Sequence, residues 1–284
     1  MTEPTDEQTG AFPAPIRIDG YFAWTWRLFR ACSLRLIAVF LGGAAAAGLL
    51  YIALVLLMVY VLDAAASVEA LAVAFAAQVL LSTVAGTLVT AIAAPVFMEQ
   101  LTGTRVGADS GWARVKPRFG HVVVSALYVA MPLLVLVLFL GQITHFVLLP
   151  ALLGPPVVVQ AIVWEQLAFR DAATRAKNMM AGSWGRVLSA LLVLALGPAL
   201  VQIFVLPLVG ELLPDARDTD LAGSLWATIV IAVTSAPVWL FTAAAGTVAY
   251  LDLRARFEEL DEAGLAAEEA ERVVEAPREA PSQG

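Results

Sequence analysis

Long apolar runs separated by short polar segments dominate the chain between residues 36 and 250. The runs cover approximately residues 36–62, 68–97, 121–140, 146–163, 187–209 and 221–250. A helix needs about 20 apolar residues to cross the roughly 30 Å hydrocarbon core of a bilayer. The third and fourth runs are near this minimum but still long enough to cross. The pattern therefore predicts an all-α integral membrane protein with six transmembrane helices.

Residues 164–186 form the longest amphipathic stretch between two of these runs. Read at 3.6 residues per turn, its apolar face comprises Trp164, Ala168, Phe169, Ala172, Ala176, Met179 and Met180. The opposite face is polar and basic, and the spacing predicts an i,i+4 ion pair between Asp171 and Arg175. Two interpretations fit this stretch. It is either a helix lying in the plane of the lipid headgroups or an extension of the preceding span that folds back.

Two other basic segments also precede predicted spans. Residues 20–35 alternate aromatic side chains with arginines, a composition typical of an interfacial anchor. Further along, Phe119-Gly-His-Val-Val-Val-Ser-Ala-Leu resembles Trp184-Gly-Arg-Val-Leu-Ser-Ala-Leu, and each sequence opens a span. The pattern predicts three parallel repeats, each with one cytoplasmic interfacial amphipathic helix followed by a helical hairpin.

The composition also indicates a membrane protein. Hydrophobic residues make up 60% of the chain, charged residues make up only 14%, and the mean hydropathy is +0.82. A soluble core does not need so much apolar content. No segment between the runs is long enough for an inserted soluble domain.

Basic residues alternate with the predicted spans. Sixteen of the 17 Lys and Arg residues lie before the first span, between the second and third, between the fourth and fifth, or after the sixth. Cytoplasmic loops of membrane proteins carry this excess of positive charge. We therefore expect a multi-pass protein of the cell (cytoplasmic) membrane with both termini in the cytoplasm. The alanine-rich composition, with 15 Arg against 2 Lys, is typical of a GC-rich bacterial genome.

The formal net charge of −7 comes from the two ends of the chain. Residues 1–19 are polar and proline-containing, and they predict a disordered cytoplasmic tail without a cleaved signal peptide. Residues 20–251 form the membrane domain. Residues 252–284 are acidic and predict a cytoplasmic helix, continuing the sixth span, and a tail. No basic patch facing water is expected, so nucleic acid is not an expected partner.

Candidate chemistry is sparse along the chain. No apolar run carries a charged residue near its middle, which argues against an ion-coupled relay. Glu165 stands at the end of a span and is interpreted as a headgroup-level residue. Cys32 is the single cysteine, and His121 and His145 lack metal-site spacing. We therefore predict a protein that is not an enzyme, with no catalytic, cofactor-binding or metal-binding residues.

Prolines lie within the third to sixth runs, at positions 132, 155, 156, 198 and 237. Each one removes a backbone hydrogen bond and can kink its helix. Discontinuous helices often frame transporter sites, but kinks also serve helix packing.

Two stretches resemble the membrane domain of glycerophosphoryl diester phosphodiesterase-like proteins. The first is Arg170-Asp-Ala-Ala-Thr-Arg-Ala-Lys-Asn-Met-Met-Ala-Gly-Ser-Trp-Gly-Arg-Val-Leu. The second, Tyr250-Leu-Asp-Leu-Arg-Ala-Arg-Phe-Glu, resembles the Tyr-x-Asp-Leu-Arg-x-Arg-x-Glu close of that family. The resemblance implies a six-span membrane domain without a settled biochemical role. Because no phosphodiesterase barrel follows, it does not imply phosphodiesterase activity.

These observations predict a non-catalytic scaffold, assembly or lipid-handling protein. A permease or a lipid or amphiphile transporter is the alternative, motivated by the prolines. The expected partners are the phospholipid bilayer and a membrane or cytosolic protein, and the sequence leaves the oligomeric state open. The candidate lipid-headgroup or partner contacts are Arg170, Arg175, Lys177, Trp184 and Arg186.

Overall fold

The computed structural model describes residues 16, 18–60, 68–102, 110–140, 154–183, 185, 221–258 and 267. The helices are α1 (Ile18–Tyr60), α2 (Val68–Thr102), α3 (Ser110–Val115), a 3₁₀ turn (Lys116–Arg118), α4 (Phe119–Leu140), α5 (Gly154–Trp164), α6 (Phe169–Met180) and α7 (Leu221–Phe257). All regular structure in the described ranges is helical, which confirms the prediction of an all-α protein for this part of the chain.

Three of the described helices contain stretches long and apolar enough to cross a membrane. These stretches are Gly20–Leu54 in α1, Leu80–Met98 in α2 and Ala236–Phe257 in α7. The predicted fifth run, 187–209, lies outside the described residues, as does the first part of the fourth. The structure therefore supports a helical membrane protein, and the count of six spans stays a prediction.

Helix α1 is longer than the sequence pattern predicted. The aromatic and basic segment 20–35 was expected to be a separate interfacial helix, but it forms the first turns of one unbroken helix of 43 residues. At 1.5 Å per residue, α1 is about 65 Å long, roughly twice the hydrocarbon thickness. No proline occurs within α1 to interrupt its backbone hydrogen bonds.

Helices α2 and α7 both run antiparallel to α1. Tyr21 contacts Asp252, and further along α1 the Phe29 ring lies 5.8 Å from the ring of Phe241. On the α2 side, a Cβ added to Gly43 would lie 2.4 Å from Cγ1 of Val89. The absence of a side chain at Gly43 therefore allows the close approach of α1 and α2.

Burial distinguishes an inner helix from an outer one. In the apolar stretch of α7, 72% of the residues are buried, against 22% in the stretch of α1. The outer surface of α1 exposes large apolar side chains, including Leu34, Leu49, Leu50 and Leu57. The part of α7 from Ala236 to Phe257 is therefore the inner one of these two stretches, and one core cluster joins it to α1, α2, α5 and α6.

The amphipathic stretch 164–186 is not one helix. Helix α5 ends at Trp164, and α6 begins at Phe169 and has 12 residues. Between them Gln166 adopts a φ of 54°, in the left-handed region, and its Nε2 donates a 2.6 Å hydrogen bond to the carbonyl of Val163. This turn terminates α5. The predicted apolar face persists within α6, which buries Ala172, Ala176, Met179 and Met180.

The predicted prolines are found both inside helices and at a helix start, and Pro132 lies inside α4, as predicted. Pro155 and Pro156 lie in the first turn of α5, where a missing backbone N–H is tolerated. Pro237 lies inside α7, as predicted, and α2 contains Pro95. Pro198 lies outside the described residues.

Candidate functional site

The charged groups of the described bundle gather where α1 begins and where α2, α5 and α7 end. We call this region the polar end. At its centre is Glu165, which follows α5 and whose side chain is only 8% exposed. Oε1 of Glu165 accepts a 2.7 Å hydrogen bond from the hydroxyl of Tyr250, and Oε2 lies 3.1 Å from Nε of Arg175. Glu165 therefore joins α5, α6 and α7.

Arg175 pairs with partners outside its own helix. Its guanidinium binds Glu165 and Glu258 and lies 5.0 Å from the centre of the Phe257 ring. The predicted i,i+4 pair with Asp171 was wrong, because Asp171 is exposed and the α5–α6 turn places Glu165 on the inner side of Arg175. The ion pairs fasten α6 to the C-terminal end of α7.

Arg254 extends this ion-pair cluster into the core. Its side chain is fully buried, its Nε donates a 2.9 Å hydrogen bond to Glu258, and it lies 4.0 Å from Oε1 of Glu165. Residues 252–284 were predicted to form a cytoplasmic helix and tail, whose charged side chains would be exposed to solvent. That prediction fails at Asp252 and Arg254, which are 0% exposed because α7 is enclosed on all sides at this level.

A second cluster holds Ile16 and the first turn of α1 against α7. Asp252 accepts a 2.7 Å hydrogen bond from the backbone N–H of Ile16, a hydrogen bond from the hydroxyl of Tyr21, and an ion pair from Arg256 at 3.1 Å. Arg256 also donates to the carbonyl of Ile16 at 3.1 Å. Ile16 was predicted to belong to the disordered tail, but it is buried and bonded through both backbone polar groups.

Polar side chains continue from Glu258 into the bundle along one face of α7. Thr247, Tyr250, Arg254 and Glu258 are spaced i, i+3, i+7 and i+11, which places them on the same face. Facing Thr247 is Gln160 of α5, whose Nε2 donates a 2.8 Å hydrogen bond to the Thr247 hydroxyl. We call Thr247, Tyr250, Arg254 and Glu258, with Gln160 and Glu165, the polar seam.

Helix α3 closes the polar end from the side of α2. The guanidinium of Arg114 lies 4.4 Å from the centre of the Trp164 ring, and burial lowers the pKa of Arg114 from its usual value. A Cβ on Gly111 would lie 2.3 Å from the carbonyl oxygen of Ile92, so α3 packs directly on the backbone of α2. Trp164, predicted as part of an interfacial face, is instead a core residue that is 2% exposed.

The five candidate contacts predicted from the sequence are in different surroundings. Arg170 and Lys177 lie on the exposed face of α6, as a surface contact requires. Arg175 points inward and is committed to ion pairs. Trp184 and Arg186 lie outside the described residues.

The polar end was not predicted from the sequence, although the charged and tyrosine residues near the end of α7 indicate it. Five residues of the C-terminal stretch 250–258, namely Tyr250, Asp252, Arg254, Arg256 and Glu258, all take part in the clusters around Glu165 and Asp252. The carboxylates in them are bound by arginine or tyrosine. Within the described ranges, no group of three or more His, Cys, Asp or Glu side chains is arranged to hold a metal ion.

Comparison with known proteins gives no relative: no family model, curated protein or solved structure matches the chain.

Proposed function

We propose that the chain is a six-span protein of a bacterial cytoplasmic membrane with both termini in the cytoplasm. Three apolar helices of sufficient length support a membrane location. Sixteen of the 17 Lys and Arg residues alternate with the spans, which supports the orientation. In this orientation the polar end lies at the cytoplasmic surface.

We further propose a non-catalytic scaffold or lipid-handling role in which α6 binds anionic phospholipid headgroups. The observation that carries this proposal is the two-sided surface of α6. Four apolar residues of α6 are buried, whereas Arg170 and Lys177 are exposed. The ion pairs of Arg175 hold the helix in this orientation, so its cationic face is presented outward.

Exposed aromatic and basic groups on α1 also suit a headgroup layer. Phe22, Trp26 and Phe29 form a stack near the start of the helix, and Phe22 and Trp26 are about half exposed. The guanidinium of Arg27 lies 5.1 Å from the centre of the Trp24 ring. Aromatic and basic side chains together are typical of the headgroup layer of a membrane.

Native mass spectrometry of the detergent-purified protein tests this proposal. The probe is phosphatidylglycerol, with phosphatidylcholine as the neutral comparison. Each basic residue near an anionic membrane surface contributes about 1 kcal/mol, so neutralising two should lower the bound phosphatidylglycerol about tenfold or more. We expect this loss for the R170Q/K177Q double variant, and no loss for the charge-preserving R170K/K177R variant. Equal retention of phosphatidylglycerol by the neutralised and native proteins would contradict headgroup binding by α6.

A further inference from the structure

Helix α5 carries two polar side chains one turn apart inside the bundle. Gln160 is 0% exposed and Trp164 is 2% exposed, and their neighbours on α5, from Ala161 to Val163, are also fully buried and apolar. Residues at i and i+4 of a helix lie on the same face, with Cβ atoms about 5–6 Å apart. The amide of Gln160 and the indole of Trp164 are therefore close neighbours in a region shielded from solvent.

The hydrogen bonds of Thr247 determine which way the Gln160 amide points. The Thr247 hydroxyl donates its proton to the carbonyl of Ala243 at 3.0 Å, and its oxygen accepts from Nε2 of Gln160 at 2.8 Å. In the opposite orientation of the Gln160 amide, its oxygen would face the Thr247 hydroxyl, whose only proton is already donated to Ala243. The carbonyl oxygen Oε1 of Gln160 is thus directed away from Thr247.

Among the described residues, neither Oε1 of Gln160 nor Nε1 of Trp164 has a hydrogen-bond partner. The contact between Trp164 and Arg114 does not supply one, because the guanidinium lies over the ring and a cation–π contact does not use the N–H. Buried polar atoms in folded proteins are nearly always hydrogen-bonded, to protein or to ordered water. One of these atoms is an acceptor and the other is a donor.

We propose that the inner part of the polar seam contains a binding site for one buried water molecule between Gln160 and Trp164. The ligand must donate a hydrogen bond to Oε1 and accept one from the indole N–H, which is the property of a hydroxyl group. The apolar surroundings disfavour an ion. Water is the smallest such ligand, and buried waters bridge polar groups in this way. The water would link the side chains of Gln160 and Trp164 within α5, next to the hydrogen bond between Gln160 and Thr247 of α7. This proposal does not depend on headgroup binding by α6.

A double-mutant cycle of thermal unfolding tests the shared ligand. Trp164→Phe removes the N–H but keeps an aromatic ring, and Gln160→Met removes the amide at similar length. We expect Trp164→Phe to lower the unfolding midpoint of the native protein by about 2–4 °C, the shift associated with one such interaction. In the Gln160→Met background the same change should lower it by less than about 1 °C, because the bridge is already lost. The Gln160→Met protein and the double variant both lack the Gln160–Thr247 hydrogen bond, so its loss does not contribute to the difference between their midpoints.

Equal shifts in both backgrounds would overturn the proposal, as would a higher midpoint for Trp164→Phe alone, since removing an unbonded buried N–H is neutral or stabilising. Trp112→Phe is the matched control, because Trp112 is 49% exposed and should tolerate the change. If the variants do not fold, a wild-type electron density map that resolves ordered waters decides the question. Density at hydrogen-bonding distance from both atoms supports the site, and its absence rejects it.

Discussion

The hydroxyl of Tyr250 donates a 2.7 Å hydrogen bond to Oε1 of Glu165, linking the inner helix α7 to the turn between α5 and α6. Glu165 in turn binds Arg175, so one carboxylate transmits the position of α7 to the amphipathic helix. Hydrogen bonds to a charged group are stronger than those between neutral groups, and they strengthen further when water is excluded. The orientation of the α6 surface therefore depends on residues in the core.

Tyr250→Phe should destabilise the protein by about 1.5–3 kcal/mol, because a buried carboxylate loses a hydrogen bond. Chemical unfolding in detergent, followed by circular dichroism, measures the change. Tyr128→Phe is the control, since Tyr128 is 68% exposed and its replacement should stay within about 0.5 kcal/mol. Equal stabilities of the native and Tyr250→Phe proteins would show that the bond does not contribute.

Arg175→Met should loosen α6, because Glu165 and Glu258 would lose one of the two arginines that they share and would keep only Arg254 of α7. A fully buried charge left unpaired costs about 3–5 kcal/mol, but the Arg175 side chain is 22% exposed, so we expect roughly 1–3 kcal/mol. Hydrogen exchange of the α6 backbone should become faster. Arg170→Met changes an exposed arginine of the same helix, and we expect it to leave the exchange rates unchanged. Slow exchange in the Arg175→Met protein would mean that packing alone holds α6.

Gly111→Ala should destabilise the contact between α3 and α2, since the new methyl group would lie 2.3 Å from the carbonyl oxygen of Ile92. Overpacking of this kind costs about 1–3 kcal/mol. Gly120→Ala offers a comparison in α4, where the added methyl meets no atom within 4 Å. That second change should be neutral or stabilising by about 0.5–1 kcal/mol. The unfolding midpoint should therefore fall for Gly111→Ala and stay unchanged or rise for Gly120→Ala. An unchanged or higher midpoint for Gly111→Ala would contradict the packing described for α3.

Ala168→Ser should stabilise α6. Ala168 is the N-cap residue of the helix, with an extended ψ of 155° and no side-chain hydrogen bond to the first turn. A serine hydroxyl there can accept from a free backbone N–H, a gain of about 0.5–2 kcal/mol. Ala173→Ser, in the middle of α6, lacks this opportunity and should be slightly destabilising. A stability difference of the opposite sign between these two variants would place the start of α6 elsewhere.

The sequence pattern predicted the all-helical class and the apolar face of α6, because helical periodicity is a local property of consecutive residues. It did not predict the break after Trp164. No glycine or proline stands between Trp164 and Gly182, and the turn is made by Gln166 in a left-handed conformation. A side-chain hydrogen bond to Val163 replaces the usual glycine signal there.

The sequence by itself determined that the chain is a helical protein suited to a membrane, since apolar runs of bilayer length and few charges leave no comparable alternative. It also determined which side of α6 is apolar. Only the tertiary structure decided which charges are buried. Asp252 and Arg254 belong to a stretch that reads as a polar tail, yet they lie in the core because α1, α5 and α6 surround the end of α7. Their partners are Ile16, Tyr21, Glu165, Arg256 and Glu258, and all of these except Arg256 and Glu258 lie far from them along the chain. Pairing across such distances depends on how the helices pack, which local periodicity does not encode.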